Sequence, residues 1–391
     1  MSPHWLRPAQ RGALLLTAFL FSAGYATAGL LLVLITMIVE GLQTRRLPWR
    51  RSGVDWAILV FLAAFLISGW SSPYRAVAVG AAGAGALTIY VALGSLHAVL
   101  LRDKGFVGPF LITWVAGALV TAAWALSLHR MTGRALTPEL GQNAVGTTLL
   151  VGLILGAGLL LVARGVWQGL LAVACVVLTV GLILTYTRGA WLGATLGLVA
   201  LFSLAGLRRA GRGLTAIALI MLLGIAFLGA ERPALFQRAL SISSLQANQD
   251  RLFMFRSAWA IFVDNPLVGT GLNTFSLVYP NYRLPNDPNP QAQPFAHNVF
   301  LNMLAEGGLL GFAAFVTILI QAAMAGWRWY AGSRNPRDAI MSAATLAAFL
   351  GLVVHQMVDG TIISVHVGAG LWFLIALMIE AGPREPEDPP T

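Results

Sequence analysis

The sequence predicts an all-α, polytopic integral membrane bundle of about twelve transmembrane helices, with one large extracytoplasmic loop containing short helices. Three observations predict it. Apolar runs of about 18 residues or more recur almost end to end, each long enough to cross a hydrocarbon core of about 30 Å. Residues are 58% hydrophobic and only 10% charged, with a mean hydropathy of +0.77, a balance that excludes a soluble globular domain. Alternation at strand period is absent, which excludes a transmembrane barrel.

The first apolar stretch, 13–39, follows Arg7 and Arg11 and precedes Arg45, Arg46, Arg50 and Arg51. Basic flanks belong in the cytoplasm. Both flanks meet that rule only if the stretch turns back on itself, so two short spans joined near Gly24–Tyr25 are expected. The stretch is too long for the apolar core of a secretory signal, and no clear small-residue cleavage site follows it. Further spans are expected at 54–70, 76–100, 107–128, 143–164, 166–187, 189–206, 213–230, 299–325, 338–355 and 361–381. The single cysteine, Cys175, lies inside one of these runs, which excludes an internal disulfide framework and a Cys-based metal site. The organisation is an N-terminal transmembrane bundle (1–230), a large extracytoplasmic loop (231–297), C-terminal transmembrane helices (298–382) and a short disordered cytoplasmic tail (383–391).

The net charge of +10 follows topology rather than forming a nucleic-acid surface. Alternating spans place Arg7, Arg11, Arg45, Arg46, Arg50, Arg51, Arg102, Lys104, Arg164, Arg208, Arg209, Arg212, Arg328, Arg334, Arg337 and Arg384 in the cytoplasm, as the positive-inside rule requires. Left outside are Arg75, Arg130, Arg134, Arg188, Arg232, Arg238, Arg251, Arg256 and Arg283. All are arginine, whose guanidinium grips phosphate oxygens as a bidentate fork.

Within the loop, Asn248 to Asn265 reads as a helix, with Asn248 as N-cap and Asn265-Pro266 as stop. Its apolar stripe is Leu252, Phe255, Trp259, Phe262 and Val263, and Arg256 falls on that stripe. An irregular, lid-like stretch rich in Pro, Gly and Asn follows. The next helix begins in PFAHNVFLNMLAEGGLLGF. Asn298, Asn302 and Glu306 share one face of it at i, i+4 and i+8, with His297 at the mouth. Gly307 and Gly311 form a small-xxx-small pair open to a neighbouring helix. Intramembrane ionisable groups face a cavity or the bundle interior, where they either serve a function or seal a polar seam between helices. TYTRGAWLG sets Arg188 in a tight turn at the outer interface. HQMVDGTIISVH sets His355, Asp359 and His366 at the outer end of the last two spans, at a spacing that fits no established zinc pattern. Asp359 is expected to pair with an outer arginine.

Three stretches, TYTRGAWLG, RSAWAIFVDNPLVGTGLNTF and FAHNVFLNMLAEGGLLG, resemble in order the signatures of the O-antigen ligase / Wzy polymerase superfamily. The resemblance covers essentially the whole chain, and its third signature is the most specific. It implies a metal-independent, inverting membrane glycosyltransferase of the GT-C kind, without a cofactor, in the bacterial inner membrane. Such an enzyme takes a glycan from an undecaprenyl pyrophosphate carrier on the outer face and passes it to an acceptor hydroxyl, on a lipid A-core or on another glycan. Membrane lipids are the remaining partner expected. By the same resemblance Arg188 matches the turn arginine and Arg256 the loop-helix arginine, both engaging the donor pyrophosphate. His297 matches the essential histidine, as general base or orienting group, and Asp359 falls where a late acidic residue occurs. Arg251, Arg75, Asn298, Glu306 and Asp359 are the expected substrate-binding set. Lipopolysaccharide ligases often carry His-x-His-Asn where this chain has Phe295 in place of the first histidine, which leaves ligase and polymerase both open. A small-solute transporter is the rival of another class, but transporters show inverted repeats and midplane sites, and this sequence has neither.

Overall fold

The computed structural model describes residues 5–45, 52, 54–206, 237, 249–285, 287 and 294–383. The expected span 213–230, the N-cap Asn248, Arg232, Arg238 and the tail beyond Pro383 lie outside the described residues. Among the described residues there are thirteen α-helices and no strand. They are α1 (Leu6–Ser22), α2 (Ala26–Thr44), α3 (Asp55–Ser71), α4 (Arg75–Leu100), α5 (Val107–Thr132), α6 (Gln142–Val162) and α7 (Val166–Leu184). Then come α8 (Arg188–Ala205), α9 (Gln249–Asp264), the short α10 (Phe275–Val278), α11 (Val299–Gly332), α12 (Pro336–Gln356) and α13 (Val365–Ala381). Eight are long and apolar enough to cross a membrane, and α3 and α13 are shorter apolar helices. The protein is a multi-pass helical membrane protein.

The first apolar stretch is indeed a hairpin. α1 and α2 meet at Ala23–Tyr25, where Gly24 takes φ +94°, a conformation glycine adopts without steric cost. Thr17 Oγ1 bridges the two helices by donating to the carbonyls of Ala13 and Gly29, at 2.7 and 2.8 Å.

α6 and α12 form the centre. Of their most apolar windows 78% and 72% is buried, against 28% for α2 and 33% for α4, so the latter pair spends its apolar surface on the periphery. α8 packs on α12 through glycine. A Cβ built on Gly193 would meet the carbonyl oxygen of Gly351 at 2.5 Å, and one on Gly351 would meet that of Gly193 at 2.7 Å. Gly189, Gly193 and Gly197 recur every fourth residue, so this helix face has no side chains of its own to hold α12 away.

The two ends of the bundle differ in chemistry. One end gathers Arg11–Asp103 (2.8 Å), Arg102–Glu40 (3.5 Å) and His97–Glu380 (2.8 Å), with Lys104 Nζ donating to the carbonyls of Ala381 and Gly382. The other end carries the starts of α6, α8 and α11, the end of α12, and α9 with the segment after it.

Candidate functional site at the loop end of the bundle

α11 is not one straight helix. At Gly308 the backbone leaves helical geometry (φ 59°, ψ −163°), and the chain after α9 lies in the notch. Leu309 and Leu310 N–H donate to the carbonyls of Pro266 and Leu267, while Thr270 and Gly271 N–H donate to those of Ala305 and Glu306. The approach is backbone on backbone: a Cβ on Gly308 would sit 2.4 Å from the carbonyl carbon of Leu267, and one on Gly269 2.4 Å from that of Glu306. The opposite face of the notch receives Phe65 of α3, whose ring would be 2.6 Å from a Cβ on Gly307 and 3.2 Å from one on Gly311. The small-xxx-small pair therefore admits a neighbouring helix, as expected.

Glu306 is 1% exposed, and its carboxylate accepts from the backbone N–H groups of Asn273 (3.0 Å) and Phe275 (2.9 Å). Asn302 Oδ1 accepts from Ala296 N–H. Asn298 Oδ1 caps α11 by accepting from Phe300 and Leu301 N–H. The polar face of this helix thus organises the chain's own motifs: Glu306 holds the GLNTF turn, and Asn298 and Asn302 hold the corner around His297.

α9 packs inward on a face adjacent to its apolar stripe. Met254, Ser257, Ala258 and Ile261 are buried. Met254, Ala258 and Ile261 form a small core with Phe275, Val278, Tyr279, Ala296 and Ala305. Leu252, Trp259 and Val263 point outward, at 38%, 53% and 55% exposure, and Arg256 is exposed with them. In a membrane protein an apolar stripe can face lipid as readily as core. The loop below α9 is pinned by Tyr282 Oη to Asp264, Ser257 Oγ to the Tyr282 carbonyl, and the Tyr279–Asp287 hydrogen bond.

At the corner, His297 takes φ +52°, uncommon for a residue with a Cβ. Tyr186, Asn273 and His297 all have positive φ, one in each of the three motif stretches. The His297 ring packs edge-on to Phe295 at 4.8 Å, and Phe295 in turn fills the space in front of Gly360. His297 Nδ1 lies 3.9 Å from Asp359 Oδ1, close enough for charge attraction but outside hydrogen-bond reach. Asp359 is fully buried. Its Oδ1 accepts from Gly360 N–H at 2.7 Å, while Oδ2 and His297 Nδ1 find no hydrogen-bond partner among the described residues.

Burial, followed by the positive field of Arg251, lowers His297 to about 4. Burial raises Asp359 to about 6, against the stabilising pull of the Gly360 N–H and of Arg251. Arg251, not Arg256, is thus the guanidinium whose field reaches His297 and Asp359. Arg188 opens α8 and is 8% exposed. A Cβ on the adjacent Gly189 would lie 2.5 Å from Val358 and 2.8 Å from Nδ1 of the fully buried His355. The glycine face of α8 therefore packs Gly189, next to Arg188 in the chain, against Val358 and His355.

Other sequence candidates stand apart. Arg75 donates to the Trp70 carbonyl at 3.0 Å and stacks on the Trp70 ring at 4.7 Å. Arg134 donates to Gln142 and Arg283 pairs with Asp287. His366 accepts from Ala26 N–H at the α1–α2 turn. No group of three or more His, Cys, Asp or Glu among the described residues is placed to hold a metal ion. His355, which the sequence reading left out of the candidate set, is fully buried four residues before Asp359.

Residues 173–316, from α7 through the kink of α11, match the family model described as O-antigen ligase (Wzy_C). This stretch of the chain is similar to the O-antigen ligase family. The match encloses Arg188, Arg251, Arg256, His297 and Glu306, and ends before Asp359. No curated protein matches the chain.

Proposed function

We propose that this chain belongs to the O-antigen ligase family that residues 173–316 resemble, and that it is a metal-independent, inverting glycosyltransferase. It takes a glycan from an undecaprenyl pyrophosphate donor at the outer side of the bacterial inner membrane. The observation that carries the reading is the meeting of His297 with buried Asp359 under the field of Arg251, at the end of the bundle where Arg188 is also placed.

In the reaction the acceptor hydroxyl oxygen attacks the anomeric carbon. One glycosidic bond forms, the carbon–oxygen bond to the diphosphate breaks, and the hydroxyl proton passes to His297. A single displacement inverts the anomeric centre. His297, held neutral near pH 7, has a ring nitrogen able to accept that proton, and the carboxylate of Asp359 stabilises the imidazolium that results. Arg188 and Arg251 offset the negative charge growing on the departing diphosphate, a role preorganised cations fill best in a partly dry site. The exposed apolar face of α9 suits contact with a polyprenyl chain, and Arg256 on that face would meet the donor phosphates from the lipid side. Asn298 and Glu306 act at one remove, by fixing the corner and the GLNTF turn.

The test is reconstitution of purified protein with an undecaprenyl pyrophosphate glycan, with and without a lipid A-core acceptor and a chelator. A single transfer to lipid A-core marks a ligase. A ladder formed without added acceptor marks an O-antigen or exopolysaccharide polymerase using the same donor chemistry. Loss of either product on chelation, or no product at all, removes the proposal.

A further inference from the structure

A cavity of about 560 Å³ opens at the end of the bundle opposite His297, between α5, α11, α12 and α13. Lys104, Arg334 and Arg337 line it, against the single carboxylate of Asp338. Trp329 and Met341 supply an apolar wall. The cavity also takes in the first residues of two helices, Val107–Gly108 of α5 and Asn335–Arg337 at the start of α12. Arg337 is drawn over the first of these: its Nη2 is 3.6 Å from where a Cβ on Gly108 would sit. Asn335 caps α12 by accepting from Arg337 N–H at 2.9 Å, so the remaining N-terminal amides and the helix dipole add positive potential.

Among the described residues, the two arginines differ from the neighbouring cations. Arg11 and Arg102, at the same end, are matched by Asp103 and Glu40, and Lys104 spends part of its donor capacity on the α13 carbonyls. Arg334 and Arg337 form no ion pair among the described residues, and both are exposed at the cavity. Two guanidinium forks, two helix starts and an apolar wall converging on a space of ligand size describe a recognition site for phosphate oxygens beside an apolar group.

We propose that this cavity binds a phosphate-bearing anion, supplied by the headgroup of an anionic phospholipid or by free phosphate. The site is separate from the glycosyl-transfer site and does not depend on that reading. Its depth favours no single source: lipid phosphates and soluble phosphate both reach the end of a membrane bundle. Arginine forks distinguish a phosphate by charge and geometry, so a zwitterionic headgroup is held less well.

The experiment uses the full chain purified in neutral detergent, titrated separately with dioctanoyl phosphatidylglycerol, dioctanoyl phosphatidylcholine and inorganic phosphate, with binding read by native mass spectrometry and melting temperature. Wild type is expected to bind phosphatidylglycerol or phosphate saturably. The double variant R334Q/R337Q is expected to bind that anion roughly tenfold or more weakly, and R334K/R337K to retain most of the affinity. Saturation by phosphatidylglycerol alone identifies a lipid site, and saturation by phosphate with equal potency a soluble-anion site. Both arginines are exposed, so the variants should elute and melt as wild type does without ligand. Equal binding of phosphatidylcholine, undiminished binding by R334Q/R337Q, or no saturable binding of either anion overturns the proposal.

Discussion

A histidine held at φ +52° beside a fully buried aspartate is where the proposed chemistry concentrates. The two shifts act in concert. His297, near 4, stays neutral across physiological pH and can receive a proton. Asp359, near 6, is ionised above that value and protonated below it. A carboxylate is needed to stabilise the imidazolium, so turnover should rise with pH through about 6 and then level. Asp359→Asn should lower the plateau and abolish that limb; a D359N profile that keeps a limb near 6 would show that another group titrates. The arginines divide similarly. Arg251→Ala is expected to lower turnover about 10²–10³-fold, the usual loss for one preorganised donor to a developing charge. Arg256→Ala should act more weakly and mainly through donor KM. Steady-state kinetics at varied donor concentration separate the two, and an R256A defect in kcat as deep as that of R251A reverses the assignment. The sequence singled out His297, Arg188 and Asp359 because ionisable groups beside apolar runs are functional candidates, and the structure brings His297 and Asp359 together. That Arg251 is half-buried and Arg256 exposed was not legible. Five residues separate them, and the phase of α9 is set by the packing of Met254, Ala258 and Ile261 on the loop core, which a stripe of Leu252, Trp259 and Val263 does not reveal.

Among the elements, α11 does most to build the site, through a kink that the sequence shows only as a glycine pair. Gly307–Gly311 was readable as a notch for a neighbouring helix. The break at Gly308, and the threading of Pro266–Gly271 through it, depend on a contact some forty residues apart in the chain that no local pattern encodes. Glu306 was readable as an intramembrane carboxylate, but its partners were not: both are backbone amides of the GLNTF turn. Glu306→Ala would leave the Asn273 and Phe275 amides unsatisfied in a buried site, a loss of about 2–6 kcal/mol. Glu306→Gln keeps one acceptor oxygen and should lose less. Thermal unfolding of the purified variants tests the order; an E306A protein as stable as wild type would return Glu306 to the list of substrate-contacting groups. Gly308→Ala should be worse tolerated, because its Cβ meets the Leu267 backbone at 2.4 Å and the residue also needs φ +59°. Neither atom can move without unthreading the loop.

Taken whole, the molecule is polarised by charge. Most described spans were legible to within a few residues, since a hydrocarbon core imposes length and apolarity on every helix alike, although α11 runs on to Gly332 and α13 starts at Val365. Sidedness is the expectation that the arginine counts supply. Arg11, Arg102, Lys104, Arg334 and Arg337 gather at one end, while α9, His297 and Asp359 gather at the other. The positive-inside rule assigns the first end to the cytoplasm, and the donor pyrophosphate must then be met from outside. That arrangement is testable without any assay of transfer. In a Cys175→Ala background, Asn281→Cys places a thiol on the exposed segment after α10, and Ala331→Cys places one at the exposed end of α11. In intact spheroplasts a membrane-impermeant maleimide should label N281C and spare A331C, with both labelled once the membrane is opened. The reverse pattern would put His297 and the two arginines on the cytoplasmic side. The glycosyl-transfer reading would then fail even with every distance around Asp359 unchanged, because the outward-facing donor would never reach them.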